Sequence, residues 1–96
     1  MPKRVDDNQT DIVKTFRSIG FSVLILSDVG KGCPDILVGF RGVNYLVEIK
    51  DGAKSPSKQR LTSHEDEFHQ SWRGQVIIIR SINEVLKFVS TITRPA

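Results

Sequence analysis

The sequence predicts a single α/β domain that spans all 96 residues, with helices packed on a mixed β-sheet. Three observations support this fold class. Apolar residues recur at helical spacing near the N-terminus, and three strand-like segments then follow one another between residues 21 and 50. In the second half a helical segment separates two strands, which is the pattern of a crossover between parallel strands. The predicted order of elements is αβββαβα.

The first helix is predicted over 7–19, where apolar residues recur every three or four positions and Gly20 follows. Asp6 or Asp7 can cap its start through a carboxylate oxygen. The next segment, "FSVLIL" (21–26), is almost wholly apolar. We therefore predict a buried strand there.

The next two strands, "DILVGF" and "VNYLVEIK", are predicted to form a hairpin that turns at Arg41 and Gly42. In this register Phe40 faces Val43, and Asp35 faces Glu48. Alternation then places only apolar or aromatic residues on one face: Ile36, Val38, Phe40, Val43, Tyr45, Val47 and Ile49. The opposite face carries Asp35, Leu37, Gly39, Asn44, Leu46, Glu48 and Lys50. Since a slip of one residue would mix the two sets, the pattern favours this register.

The second half is predicted to hold a polar loop, a helix, a strand and a final helix. The loop is "DGAKSPSKQR" (51–60), and Thr62 with Glu65 then has the spacing of a capping box that opens a helix. The apolar segment "QVIIIR" (75–80) predicts another buried strand. A second capping-box spacing before "VLKFVSTI" predicts the last helix.

The hairpin register brings three chemically active side chains to one face: Asp35, Glu48 and Lys50. Directly opposed residues have Cβ atoms about 4.5–5.5 Å apart, and two carboxylates that close repel each other. A divalent cation such as Mg²⁺ or Mn²⁺ between them relieves the repulsion. Lys50, about 6.6–7 Å further along the strand, can reach an anion bound there. The alternative is that Asp35 ends a turn while Glu48 and Lys50 form a surface pair.

Composition and charge describe a soluble chain that permits a polyanionic partner. The net charge is +3, and no apolar stretch reaches the roughly 20 residues that cross a bilayer. The single cysteine, Cys33, fits a reducing cytoplasm. Basic residues are concentrated in 50–60, where a solvated loop is the alternative to a nucleic-acid contact.

At "PD" (34–35) and "EIK" (48–50) the chain resembles the PD-(D/E)XK nuclease superfamily. More closely, it is similar to the small stand-alone VRR-NUC domains found in phages. The similar stretches, which span nearly the whole chain, are "NQTDIV", "SDVGKGCPDILVGFRG", "YLVEIKDGAKSPSKQRLT" and "EFHQSWRGQVIIIRS". The resemblance implies a restriction-endonuclease-like αβββαβ core followed by a C-terminal helix, with hydrolysis of DNA phosphodiester bonds that depends on Mg²⁺ or Mn²⁺.

By this resemblance, Asp35 and Glu48 bind the metal with help from the backbone carbonyl of Ile49. Lys50 positions the attacking water or stabilises charge on the phosphate. Many superfamily members add a Glu on the first helix, for which Gln9 and Asp11 lie nearest here. DNA contacts are expected from four further residues: Lys31, Lys54, Lys58 and Arg60.

The helix that begins near residue 62 departs from the pattern of many relatives, which carry a Gln after an "LTP" start. This chain has Glu65 after "LTSH". We predict that Glu65 completes the capping box with Thr62, and a metal-binding role is the alternative.

Stand-alone members resemble dimeric Holliday junction resolvases, so the resemblance implies a homodimer that cuts branched DNA. The apolar strand 75–80 or the last helix is expected to form the dimer interface. In a host cell infected by a phage, such an enzyme would act in the cytoplasm. A larger eukaryotic relative acts on flaps, which leaves a flap nuclease as an alternative. A sequence-specific restriction-type endonuclease and a non-catalytic DNA-binding module are further alternatives.

Overall fold

A computed structural model describes residues 7–95. Its helices are α1 (Gln9–Ile19), α2 (Pro56–Gln59), α3 (Ser63–Ser71) and α4 (Ile82–Thr93), and its strands are β1 (Ser22–Ile25), β2 (Ile36–Phe40), β3 (Val43–Ile49) and β4 (Val76–Ile79). The predicted order is confirmed, with α2 added inside the segment predicted as a loop. Pro56 favours this extra turn because its fixed φ suits the first position of a helix. Within 7–95 no helix is long and apolar enough to cross a membrane.

The strands form one mixed sheet in the order β1-β2-β3-β4. β2 is antiparallel to both β1 and β3, and β4 runs parallel to β3. The predicted hairpin register is confirmed from the turn, where Phe40 pairs with Val43, to Ile36 and Val47. Arg41 and Gly42 both have positive φ, as a two-residue hairpin turn of type I′ requires.

One face of the sheet packs against α1 and α4 to form the core. The buried apolar residues of this cluster are Ile12, Val13, Phe16, Phe21, Ile36, Val38, Val47, Ile49, Ile79 and Val85. The predicted apolar face of the hairpin is thus confirmed at its centre. Only Val43, beside the turn, is exposed. The core holds the backbone of β2 and β3 in a fixed register where both strands reach the polar residues described below.

The predicted buried strand over 21–26 is wrong in its burial. β1 is an edge strand with β2 as its one neighbour, and Leu24 and Ile25 are 58% and 52% exposed. An apolar composition does not determine whether a strand has neighbours on both sides.

The start of α1 is tied to the ends of the two parallel strands. Asn8 is the residue before the helix, and its side chain makes no capping bond; Asp7 was predicted there, and Asp6 lies outside the described residues. The Asn8 Nδ2 group instead donates to the carbonyls of Lys50 (3.2 Å) and Arg80 (3.1 Å), which directly follow β3 and β4. This contact brings the first turn of α1 to the end of the sheet where β3 finishes.

Candidate active site

The buried polar side chains among residues 7–95 gather at one end of the sheet. They are Gln9, Ser27, Asp35, Glu48, Lys50 and Glu65, and none is more than 8% exposed. We call these six residues the polar cluster. They come from α1, the turn after β1, the start of β2, the end of β3 and the first turn of α3. Since buried polar groups need partners inside the protein, their contacts decide what the cluster can do.

Asp35 sits where the regular pairing of β2 with β3 ends. Its N–H donates to the carbonyl of Val47 (3.0 Å), although Val47 is already paired with Ile36. Two successive residues therefore face one residue of β3, as in a β-bulge. The predicted direct pairing of Asp35 with Glu48 is not formed. A bulge bends the strand locally. The alternation of side chains along β2 therefore does not predict the direction of the Asp35 side chain.

The side chain of Asp35 is fixed by the backbone of the neighbouring strand. The Oδ2 atom of Asp35 accepts a 2.7 Å hydrogen bond from the N–H of Ile49. The backbone carbonyl of Asp35 accepts a 2.8 Å bond from the N–H of Leu26. Each carboxylate oxygen carries two lone pairs, so this bond orients the carboxylate without exhausting it as a ligand. The carboxylate is thus held beside the residue that lies between Glu48 and Lys50.

Lys50 lies between two glutamates. Its Nζ atom is 2.7 Å from Oε1 of Glu65 and 3.9 Å from Oε2 of Glu48. The Lys50 and Glu48 side chains are only 9% and 1% exposed, so the alternative of a surface pair is wrong. Burying an ammonium costs free energy unless carboxylates pair with it, as Glu65 does here. Lys50 is therefore a fixed positive charge inside the polar cluster.

Of the two first-helix candidates, Gln9 lies in the polar cluster and Asp11 does not. Gln9 is 5% exposed and its Nε2 group donates to Oγ of Ser27 at 3.2 Å, whereas Asp11 is exposed. The Oε1 atom of Gln9 is buried and has no hydrogen-bond partner. An unsatisfied buried oxygen costs free energy unless a cation or a donor reaches it.

Among residues 7–95 the polar cluster brings together three buried carboxylates, those of Asp35, Glu48 and Glu65, and the ammonium of Lys50. Carboxylate oxygens are the ligands that hard divalent cations prefer. Among residues 7–95 no three His, Cys, Asp or Glu side chains are grouped as a metal cage. Magnesium is commonly bound by one or two carboxylates with water and substrate phosphate, so a pair of acids fits it.

The turn before Asp35 is built by three residues with positive φ: Gly30, Lys31 and Gly32. A Cβ atom on Gly32 would clash with the backbone carbonyl of His64, at the start of α3. Glycine is thus required at 32 for a close approach between this turn and α3. The same contact fixes Glu65, the next residue of α3, relative to Asp35.

The predicted DNA-contacting residues lie in the turn before β2 and in the segment that contains α2. Lys31, Lys58 and Arg60 are exposed, and Lys54 is half-buried, 3.7 Å from a carboxylate oxygen of Asp7. Arg60 and Arg80 both line an open pocket at the start of α3. Arg80 was not predicted as a contact, because "QVIIIR" indicates only a strand.

The sequence does not predict Ser27 as a member of the polar cluster, and it predicts only one of the contacts of Glu65. The predicted capping box of Glu65 with Thr62 is confirmed in both directions, but the contact of Glu65 with Lys50 joins elements 15 residues apart. Ser27 lies in a turn-like segment, and nothing in its surroundings separates it from an ordinary turn serine. Both depend on how α1 and α3 approach the sheet, which local patterns do not determine.

Comparison with known proteins shows one informative similarity. No family model matches the chain, and no curated protein matches it. A solved structure described as a VRR_NUC domain superposes with a TM-score of 0.66 and is 28% identical in sequence. The similarity covers 88% of this chain and 97% of that one. The resemblance and the restriction-endonuclease-like fold class predicted from the sequence are thereby confirmed.

Proposed function

We propose that this chain is a VRR-NUC domain and a metal-dependent endonuclease that cuts branched DNA, and that it acts as a homodimeric Holliday junction resolvase. Its coarser assignment, a nuclease of the PD-(D/E)XK type that acts on DNA, follows from the structural similarity. The observation that best supports a catalytic role is the burial of Asp35, Glu48 and Lys50 together at one end of the sheet. A module that only bound DNA would gain nothing from burying these charges.

Asp35 and Glu48, helped by the backbone carbonyl of Ile49, would hold Mg²⁺ or Mn²⁺. Carboxylate and carbonyl oxygens are the ligands that these hard cations prefer. When bound, the cation supplies Lewis-acid polarisation of a phosphate oxygen and makes nearby water a better nucleophile. The buried Oε1 atom of Gln9 is a further oxygen at the same end of the sheet, where many superfamily members place a carboxylate.

Lys50 would supply the fixed positive charge of the reaction. The developing charge in phosphodiester hydrolysis lies on the phosphate oxygens, and preorganised cations in a site with little water stabilise it. Lys50 is buried, and its ammonium is held by the 2.7 Å contact with Glu65. The side chain is thus oriented before DNA arrives, which lowers the cost of ordering it during the reaction.

DNA would be held through its phosphates by Lys31, Lys54, Lys58 and Arg60. These residues belong to turns and to the short helix α2, which offer charge but no long element that could enter a groove and read bases. We therefore expect recognition of branch shape rather than sequence. A restriction-type enzyme, in contrast, needs additional recognition elements.

A symmetric cut of a four-way junction needs two active sites, which a C2 dimer would supply. Of the two expected interface elements, α4 exposes Ile82 and Leu86, four residues apart on one side. Sedimentation at micromolar concentration is expected to show a dimer. L86E is expected to give a monomer, whereas L24E, on the equally exposed edge strand, is expected to leave the dimer intact. A wild-type monomer would remove the dimer from the proposal.

The substrate is tested with a panel of labelled DNAs: a four-way junction, a flap, a splayed arm and a linear duplex, each with Mg²⁺, Mn²⁺ or EDTA. Paired, metal-dependent nicks confined to junctions of unrelated sequence are the expected result. Preferential cutting of the flap would keep the nuclease and replace the resolvase. Cutting at one sequence in every DNA would indicate a restriction-type enzyme. Binding without cleavage under all conditions would leave only a DNA-binding module.

A further inference from the structure

We propose that Glu65 is a positioning residue that holds the Lys50 ammonium away from Glu48 and so keeps the Glu48 carboxylate available to a divalent cation. This role goes beyond helix capping and rests on the proposed function. The three side chains are all buried, so each contact is made with little competition from solvent.

The distances show which glutamate Lys50 is bonded to. The 2.7 Å separation between Nζ and Oε1 of Glu65 is that of a short, charge-assisted hydrogen bond. The 3.9 Å separation from Oε2 of Glu48 is too long for a hydrogen bond. Lys50 is therefore committed to Glu65, and it approaches Glu48 only as a neighbouring charge.

The carboxylate of Glu65 is itself fixed by the helix it caps. Its Oε1 atom also accepts a 2.9 Å hydrogen bond from the N–H of Thr62, and the Glu65 N–H donates to Oγ1 of Thr62 at 3.2 Å. The close contact between Gly32 and the carbonyl of His64 holds this turn of α3 against the segment that leads to Asp35. One oxygen atom thus caps the helix and anchors the lysine.

Removing the Glu65 carboxylate would leave the buried Lys50 ammonium without its bonded partner. A buried cation in that position is costly, and Glu48 lies within reach of a small side-chain rotation. Lys50 would then bond to Glu48 and compete with a divalent cation for the same carboxylate. The consequence is a weaker metal site, with the metal ligands themselves unchanged.

The test measures Mn²⁺ binding to the whole protein, without DNA, by the decrease of the free-ion electron paramagnetic resonance signal. Four proteins form a cycle: wild type, E65A, K50M and K50M/E65A. E65A is expected to weaken Mn²⁺ binding by about 10–100-fold, the range for removal of a group that orients a metal ligand. In K50M, where no ammonium can compete, adding E65A is expected to leave the affinity unchanged.

Two further variants separate positioning from folding. T62A removes the hydroxyl half of the capping box but leaves the Glu65 carboxylate and its contact with Lys50. It is expected to lower the melting temperature while leaving the Mn²⁺ affinity at the wild-type value. E65Q keeps the acceptor for the Thr62 N–H, so it remains folded if E65A does not, and it is expected to weaken Mn²⁺ binding less than E65A.

Two results would overturn the inference alone: wild-type Mn²⁺ affinity in both E65A and E65Q, or a decrease of affinity from E65A that persists in the K50M background. The second result would mean that Glu65 acts by its own charge or as a ligand. A wild-type protein that binds no Mn²⁺ would overturn the proposed metal-dependent function as well, and the two failures are therefore distinguishable.

Discussion

The carboxylate of Asp35 accepts a 2.7 Å hydrogen bond from the backbone N–H of Ile49, across the point where β2 and β3 stop pairing regularly. At the bulge the N–H of Ile49 is thus bonded to the side chain of Asp35 rather than to a main-chain carbonyl. It ties the acid at the start of one strand to the residue between Glu48 and Lys50 on the next. The fold therefore orients the acid before any cation or DNA is bound.

Substitutions at Asp35 are expected to affect stability and cleavage differently. D35A leaves the buried N–H of Ile49 without an acceptor, which costs about 1–3 kcal/mol of unfolding free energy. D35N keeps an oxygen acceptor and removes a negative charge from the polar cluster, so its unfolding free energy is expected to equal or exceed that of the wild type. Urea unfolding in EDTA measures both. Equal decreases in the two variants would mean that the hydrogen bond to Ile49 does not stabilise the fold.

The Glu48 carboxylate is expected to lower the free energy of unfolding without metal and to raise it when metal is bound. In EDTA, E48Q removes one of three buried carboxylates. Its free energy of unfolding is expected to exceed that of the wild type by about 1 kcal/mol, which raises the melting temperature of a domain of this size by about 4–8 °C. Mg²⁺ at about 100 times its Kd is expected to stabilise the wild type by about 2.7 kcal/mol. Thermal melting with Mg²⁺ and with EDTA checks both effects. A metal-induced shift of wild-type size in E48Q would exclude Glu48 as a ligand.

Gly32 and Gly30 provide a matched pair for the contact between the turn and α3. Both have positive φ, so alanine at either position costs about 1–2 kcal/mol of backbone strain. Only at Gly32 would the new Cβ also meet the carbonyl of His64. G32A is therefore expected to be less stable than G30A and to cleave DNA more slowly, because α3 and Glu65 must move.

Urea unfolding and single-turnover cleavage of the two glycine variants give the comparison. Equal cleavage rates in G30A and G32A would show that the position of α3 does not affect the reaction.

The exposed basic residues Lys58 and Arg60 are expected to contribute to DNA affinity without changing the chemical step. K58A/R60A should weaken binding at low salt and reduce the slope of log K against log salt by about 0.9 for each phosphate that is no longer neutralised. K87A, an exposed lysine on α4, is the control and should leave the slope unchanged. Fluorescence anisotropy over a salt series measures the slope. A slope in K58A/R60A equal to that of K87A would place the DNA elsewhere.

The sequence predicts the hairpin and its core face well, because in this register every residue of one face is apolar or aromatic and the charged residues fall on the other face. It predicts the capping box of Glu65 for a similar reason, since both partners lie within one turn. The bulge at Asp35 and the ion pair between Glu65 and Lys50 could not be predicted. Both arise where separate elements meet, and their geometry depends on a close approach at Gly32 that local patterns do not encode.

Prediction from the sequence is limited in the same way for α1. Periodicity predicts α1 and its end at Gly20, but it does not show which polar residue of the first turn faces the polar cluster. The bonds from Asn8 to the ends of β3 and β4 set that rotation, so Gln9 is buried and Asp11 is exposed.

The assignment of the polar cluster to DNA hydrolysis is tested most directly by single-turnover cleavage of a four-way junction with Mg²⁺, comparing the wild type with D35N. Binding of both proteins to the same junction is measured in EDTA. Cleavage by the wild type, a decrease of at least about 10²–10³-fold in D35N and equal binding are the expected results. Equal cleavage by the two proteins would contradict the assignment of Asp35, and no cleavage by the wild type on any branched DNA would contradict the proposed activity.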